Sequence, residues 1–201
     1  MKFIQLISTS NEEKINDNDV IYLGNWCKND DYIIKDHTVA SYHWDDRNKL
    51  EKDNYYITDL YEKLLKQLSL SLNELHSKSY SENYWRIVTG YWLFYYLSVN
   101  FDRWENINSS LNEFKEINFY QAIKINNHPV AENTREFMNL ASDVKWNHLT
   151  YTKIVNFLIK KKNLNISIFE KNYKNEAFYY NYKPNIKHKI KKTLIKLYVY
   201  F

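Results

Sequence analysis

Two short apolar runs, Phe3 to Ile7 and Val20 to Leu23, flank the polar segment Ser8 to Asp19, and their β-branched and aromatic members predict two buried strands. The second run stops at Gly24. From Asp45 the period changes. Ile57, Leu60, Tyr61, Leu64, Leu65, Leu68, Leu72 and Leu75 recur at helical spacing, with Asp59, Glu62, Lys63, Lys66, Gln67, Asn73 and Glu74 on the other face. This predicts a long amphipathic helix capped by Asp45 or Asp46. Ser79-Tyr80-Ser81-Glu82 has capping-box spacing and opens a second helix over Tyr84 to Trp104. Its stretch Tyr91 to Leu97 is apolar on all sides, which predicts a buried helix at the centre of the core. Gly90 inside it costs about 1 kcal/mol relative to Ala, most easily offset by a second backbone passing close. A polar break over Glu105 to Ser110 precedes a short helix near Leu111, a strand over Tyr120 to Ile125 and a turn at Asn127-His128-Pro129. Asn133 caps a helix through Phe137, Met138 and Leu140, another runs from Trp146 to Leu158, and Ile166 to Phe169 reads as a strand. Lys171 to Lys192 has little periodicity, and Leu194 to Phe201 turns apolar and strand-like. The pattern is that of a helix-rich α/β protein, with residues 1–160 forming the domain and 161–201 a basic, aromatic-rich linker or tail.

Composition narrows the classes. Two Gly and two Pro in 201 residues exclude collagen-like, Pro-rich and many-turned all-β designs, and 44% hydrophobic residues supply a core. Cys27 is the only cysteine, so neither an internal disulfide nor a thiol-rich zinc site can form, and a reducing, cytoplasmic setting is expected. The first residues lack the apolar run of a secretory signal, and Ile87 to Val99 falls short of the about 20 residues a spanning helix needs. Residues 151–201 hold twelve Lys against Glu170 and Glu176, net +10, leaving −6 on residues 1–150. Such a tail suits peripheral contact with an anionic membrane face or a partner chain. Tyr173, Phe178, Tyr179, Tyr180 and Tyr182 among lysines superficially suit single-stranded nucleic acid, but no RNP or helix-turn-helix pattern accompanies them, so nucleic acid is not the expected partner.

Tyr42-His43-Trp44-Asp45-Asp46-Arg47 concentrates an imidazole, two carboxylates and a guanidinium at a helix entrance. His43, Asp45 and Asp46 are therefore the candidate general bases, and Arg47 a candidate for phosphate or carboxylate. The plainer alternative has an Asp capping, Arg47 pairing locally, and His43 and Trp44 packing. Gly24-Asn25-Trp26 follows a strand end, where ligands approach the backbone in open α/β sheets. Lysine outnumbers arginine 24 to 4, so Arg86 and Arg103 at the ends of the apolar helix invite an explanation. Each needs a planar fork either for a substrate anion or for a structural carboxylate, Asp102 in the case of Arg103. His37, His76, His128 and His148 lack metal-ligand spacing and read as surface or packing residues. No P-loop, nucleophile elbow, HExxH or CxxC is present, and no metal or cofactor is implied.

The strings YHWDDRNKLEKDNYYITDLYEKLL, LNELHS and SENYWRIVTGYWLFYYLSVNFDRWENI resemble the amino-terminal part of a family of transferases from bacterial O-antigen and surface-polysaccharide gene regions. LGNWC is similar to that family's LGEWC, with Asn25 in place of an acid. The resemblance covers residues 20 to 160 or so and implies a glycosyltransferase-like enzyme with two Rossmann-type halves. This chain would supply the first half, a partial Rossmann-like sheet with long helices that receives a glycan acceptor. The half holding the nucleotide-activated sugar would be missing, so the chain is expected to be a fragment without full activity alone, working in the cytoplasm or at the inner membrane face.

Overall fold

The computed structural model describes residues 4–9, 19–28, 37–113, 117–122, 131–162 and 166–171. The expected turn at 127–129 and the tail beyond residue 171 lie outside the described residues.

Strands β1 (Ile4–Ile7), β2 (Asp19–Tyr22), β3 (His37–Val39), β4 (Ile117–Ala122) and β5 (Ile166–Lys171) form one parallel sheet in the order β3-β2-β1-β4-β5. The chain leaves the β3 edge through two helices and returns to pair β4 on the far side of β1. Strand order therefore switches direction between β1 and β4, and the architecture is a helix-rich α/β fold with a partial Rossmann-like sheet. Consecutive residues of β1 and β2, Leu6-Ile7 and Val20 to Leu23, are all buried, as a parallel sheet covered on both faces requires. Ile117 and Phe119 of β4 join them in one core. Strand β3 carries no apolar run, only His-Thr-Val, and so escapes a search for hydrophobic patterning.

Helices α1 (Arg47–His76) and α2 (Glu82–Glu113) form an antiparallel hairpin whose arms are about 45 Å long. At its tip Ser77 is left-handed, φ 51°, and the Lys78 N–H reaches the Asn73 carbonyl at 2.9 Å. The Asn73 carboxamide bonds the N–H and C=O of Tyr80 and accepts the Trp85 indole N–H. Ser81 caps α2 by accepting the Tyr84 N–H at 3.2 Å, two residues later than the capping-box spacing from Ser79 implies.

Two expectations for α2 are corrected. The helix does not break over residues 105–110: Asn106, Ile107 and Ser110 are buried on the side facing the core, and the Ser110 hydroxyl donates back to the Asn106 carbonyl. Nor is its apolar stretch covered all round. Trp85, Leu93 and Val99 are buried, whereas Ile87 is 78% and Tyr91 70% exposed. At Gly90 the Tyr61 hydroxyl lies 2.5 Å from where a Cβ would stand, so a larger residue would displace that side-chain tip; the close neighbour is a side chain and not a backbone.

The second half of α2 packs against α4 (Val144–Lys162). Ile107 of α2 and Tyr151, Val155 and Leu158 of α4 complete the sheet core. Short α3 (Thr134–Ala141), capped by Asn133, adds Phe137 and Leu140 to a second cluster with Val99 and Trp146. Among the described residues no helix is long and apolar enough to cross a membrane.

Candidate functional site

Pairing beyond β3 continues through the Ala40 N–H to the Tyr22 carbonyl, and the chain then enters a 3-10 turn at His43–Asp45. This turn lies past the carboxyl end of a parallel strand and abuts both α1 and α2. His43 is buried, and its Nε2 donates to Asp102 Oδ1 of α2 at 3.1 Å. Asp102 also accepts the Tyr42 hydroxyl and Arg103 Nη1. On the other side of the ring, His43 Nδ1 lies 3.9 Å from Asp53 Oδ2 of α1, and Asp53 accepts Trp44 Nε1 at 3.0 Å and Lys49 Nζ at 2.9 Å. Lys49 reaches Glu105 of α2 at 2.9 Å as well. Arg103 then links α2 to α4 and to the end of α3, donating to Asn147 Oδ1 and to the Ala141 carbonyl, each at 3.0 Å.

The network fixes its own charges. Burial by itself would raise the Asp102 carboxyl, but bonds from His43, Tyr42 and Arg103 outweigh it and hold the group below its ordinary value. Burial would lower Lys49, yet Asp53 and Glu105 keep it above the ordinary lysine value. Desolvation and then the Asp102 charge push the Tyr42 hydroxyl upward.

A second polar layer lies at the end of β1, beside the switch in strand order. Ser8 Oγ and His148 Nδ1 are 2.8 Å apart, both residues fully buried. Desolvation lowers His148 to about 4, so its ring is neutral at pH 7. Tyr151 accepts a bond from Asn106 Nδ2 at 3.3 Å, and burial pushes its phenol upward.

The nine residues singled out from sequence occupy different settings. Gly24, Asn25 and Trp26 follow β2, with a 3-10 turn over Asn25–Cys27. A Cβ at Gly24 would stand 2.0 Å from the Trp26 ring, so glycine lets that ring fold over the backbone while remaining 44% exposed. Asp45 and Arg47 are exposed beside buried His43. Asp46 Oδ1 accepts the N–H groups of Asn48 and Lys49 and caps α1. Arg103 belongs to the network. Arg86 does not: it stands about 25 Å along α2 from Arg103, forked onto both Glu62 oxygens at 2.6 Å and onto Glu82 at 3.0 Å. Its guanidinium lies over the Tyr61 ring.

Sequence reasoning missed Lys49, Asp53, Glu105, Ser8 and Asn147. One signal was available: Asp102 and Glu105 are charges three residues apart that follow a long apolar stretch, and Lys49 and Asp53 are an i, i+4 pair directly after YHWDDR. Among the described residues no group of three His, Cys, Asp or Glu could hold a metal ion.

The profile of the LIC12162 family transferase matches residues 4–201. The chain belongs to that family. It is a member of a transferase family, and in this chain the turn after β3 is tied to α1 through Asp53 and to α2 through Asp102. No curated protein and no solved structure gives a significant match.

Proposed function

We propose that the chain serves glycosyl transfer in bacterial surface-polysaccharide assembly of the O-antigen type, bringing a glycan acceptor to a nucleotide-activated sugar beside the carboxyl ends of β2 and β3. The observation that carries this reading is the YHWDDR turn. It leaves a parallel strand at the end where open α/β sheets bind ligands, and Asp53 and Asp102 fasten it to α1 and α2. Membership of a transferase family supports group transfer, and the resemblance of the YHWDDR and YWR strings to surface-polysaccharide enzymes supports sugar as the group.

Exposed Asp45 takes the proton of the acceptor hydroxyl as that oxygen bonds to the anomeric carbon and the nucleoside diphosphate departs with the former bonding pair. Arg47 pairs with phosphate or carboxylate on the reactants. His43 and Asp102 position the turn, and the exposed face of Trp26 offers a platform for a sugar ring. Asp46 sets the start of α1, while Arg86 and Arg103 hold helices in place.

The test is transfer by the full chain from a panel of nucleoside diphosphate sugars to lipid-linked glycans extracted from bacterial membranes, read as nucleotide release and product mass. Asp45→Asn is expected to lower turnover about 100-fold with the melting temperature unchanged, since its side chain is in solvent. Undiminished turnover in that variant, or an unaltered chain that neither transfers sugar nor binds the lipid-linked glycan saturably, would overturn the proposal.

A further inference from the structure

A cleft of about 330 Å³ opens between α2, α3 and α4, at the small end of the size range for ligand pockets. It is distinct from the strand-end network, although the Arg103–Asn147 bond joins α2 and α4 three residues past Asn100 and beside Trp146. Phe137 and Trp146 form its floor, buried and meeting edge to face with centroids 5.7 Å apart and planes at 85°. Trp92 and Tyr96, one turn apart on α2, stack on each other at 5.3 Å, and Tyr96 leans over Phe137 at 5.4 Å. The perpendicular corner of Phe137 and Trp146 offers a ring face and a ring edge together, the two geometries a third flat ring prefers.

The polar groups at the mouth are few. Asn100 donates through Nδ2 to the Tyr96 carbonyl, leaving its amide oxygen to accept a bond from a ligand. Lys153 stands seven residues along α4 from Trp146, hence on the same side of that helix. It is exposed, and among the described residues it forms no ion pair. Among the described residues no acidic one lines the cleft. An aromatic hollow kept open to water, with one uncompensated cation at its edge, is complementary to an anion that has an apolar body.

We propose that the cleft between α2, α3 and α4 binds a small molecule that joins a flat apolar ring to one acidic group, the ring seated on Phe137 and Trp146 and the acid on Lys153. The assignment does not depend on the glycosyl-transfer reading.

Phenyl phosphate is a suitable probe, with benzyl alcohol for the ring alone and inorganic phosphate for the charge alone. Titration of the full chain by calorimetry, with ligand-detected saturation-transfer NMR, is expected to give a dissociation constant for phenyl phosphate of about 1 mM or tighter. Inorganic phosphate should bind at least about tenfold more weakly. Lys153→Met keeps the aliphatic stem and should weaken phenyl phosphate about two- to fivefold while leaving benzyl alcohol binding unchanged. Tyr96→Ala should weaken both. Absence of phenyl phosphate binding, equal binding of inorganic phosphate, or unaltered affinity in Lys153→Met would overturn the proposal. Far-ultraviolet circular dichroism of each variant separates lost affinity from lost fold.

Discussion

His43 and His148 are both buried, yet one bonds an aspartate and the other a serine hydroxyl. For His148 desolvation governs, and its pKa falls to about 4 against an ordinary 6.5. The sign follows from which state binds the proton. Between pH 6.5 and about 4 the unfolded chain takes up a proton on this ring that the folded chain does not, so stability present above pH 6.5 drains away as pH falls through that window. The loss amounts to about 3 kcal/mol. Urea unfolding from pH 7 to pH 4 is expected to show this extra loss in the unaltered chain relative to His148→Gln. Parallel pH profiles for the two would refute it. Below the ordinary aspartate range, protonation of Asp102 removes a further contribution, since its folded carboxyl is depressed. Neither partner could be named from sequence: Ser8 and His148 are 140 positions apart, and His43 and Asp102 are 59 apart. His148 reads as one more scattered histidine until tertiary packing seals it.

Helix ends were easier to foresee than helix surroundings, because caps depend on residues a few positions apart. Asp46 at α1 and Asn133 at α3 cap as their residue types predict, and Ser81 does so one residue before Glu82. The C-terminal end of α1 was harder, since it closes on a serine in a conformation that favours glycine. Non-glycine residues pay about 1–2 kcal/mol there, while glycine costs extra chain entropy on folding. Ser77→Gly should therefore raise stability by up to about 1 kcal/mol in thermal or urea unfolding. A loss instead would mean that the Asn73–Tyr80 clamp, and not Ser77, decides how the hairpin turns. The missed β3 has a related cause: three residues on a sheet edge need only one paired side, and no apolar alternation marks them.

At the scale of the molecule, the hairpin of α1 and α2 is fastened to the sheet at its base. The charges of Lys49, Asp53, Asp102, Arg103 and Glu105 converge where the β3 turn meets both helices. Farther out, the Arg86 fork on Glu62 and Glu82 and the packing of Leu65 and Leu93 hold the arms to each other. Substitutions should sort by side. Ile87→Lys on the exposed face is expected to change stability by no more than about 0.5 kcal/mol, whereas Leu93→Ala, buried on the inner face, should cost about 2–4 kcal/mol. Equal costs would show that the outer face is covered after all.

The sequence by itself determined the α/β class, the two long helices, an aspartate cap on the first and the strands β1 and β2, because each rests on patterning within a few residues. It also marked the YHWDDR turn as unusual, through charge packed into a helix entrance. Only the tertiary structure decided the strand order, the continuity of α2 through residues 105–110 and the company each charged group keeps. It buried His43 against Asp102, left Asp45 and Arg47 in solvent and carried Arg86 to the hairpin arms. Those outcomes depend on which distant segment comes to lie alongside, and burial and ion pairing are properties of that encounter, absent from any local stretch of chain.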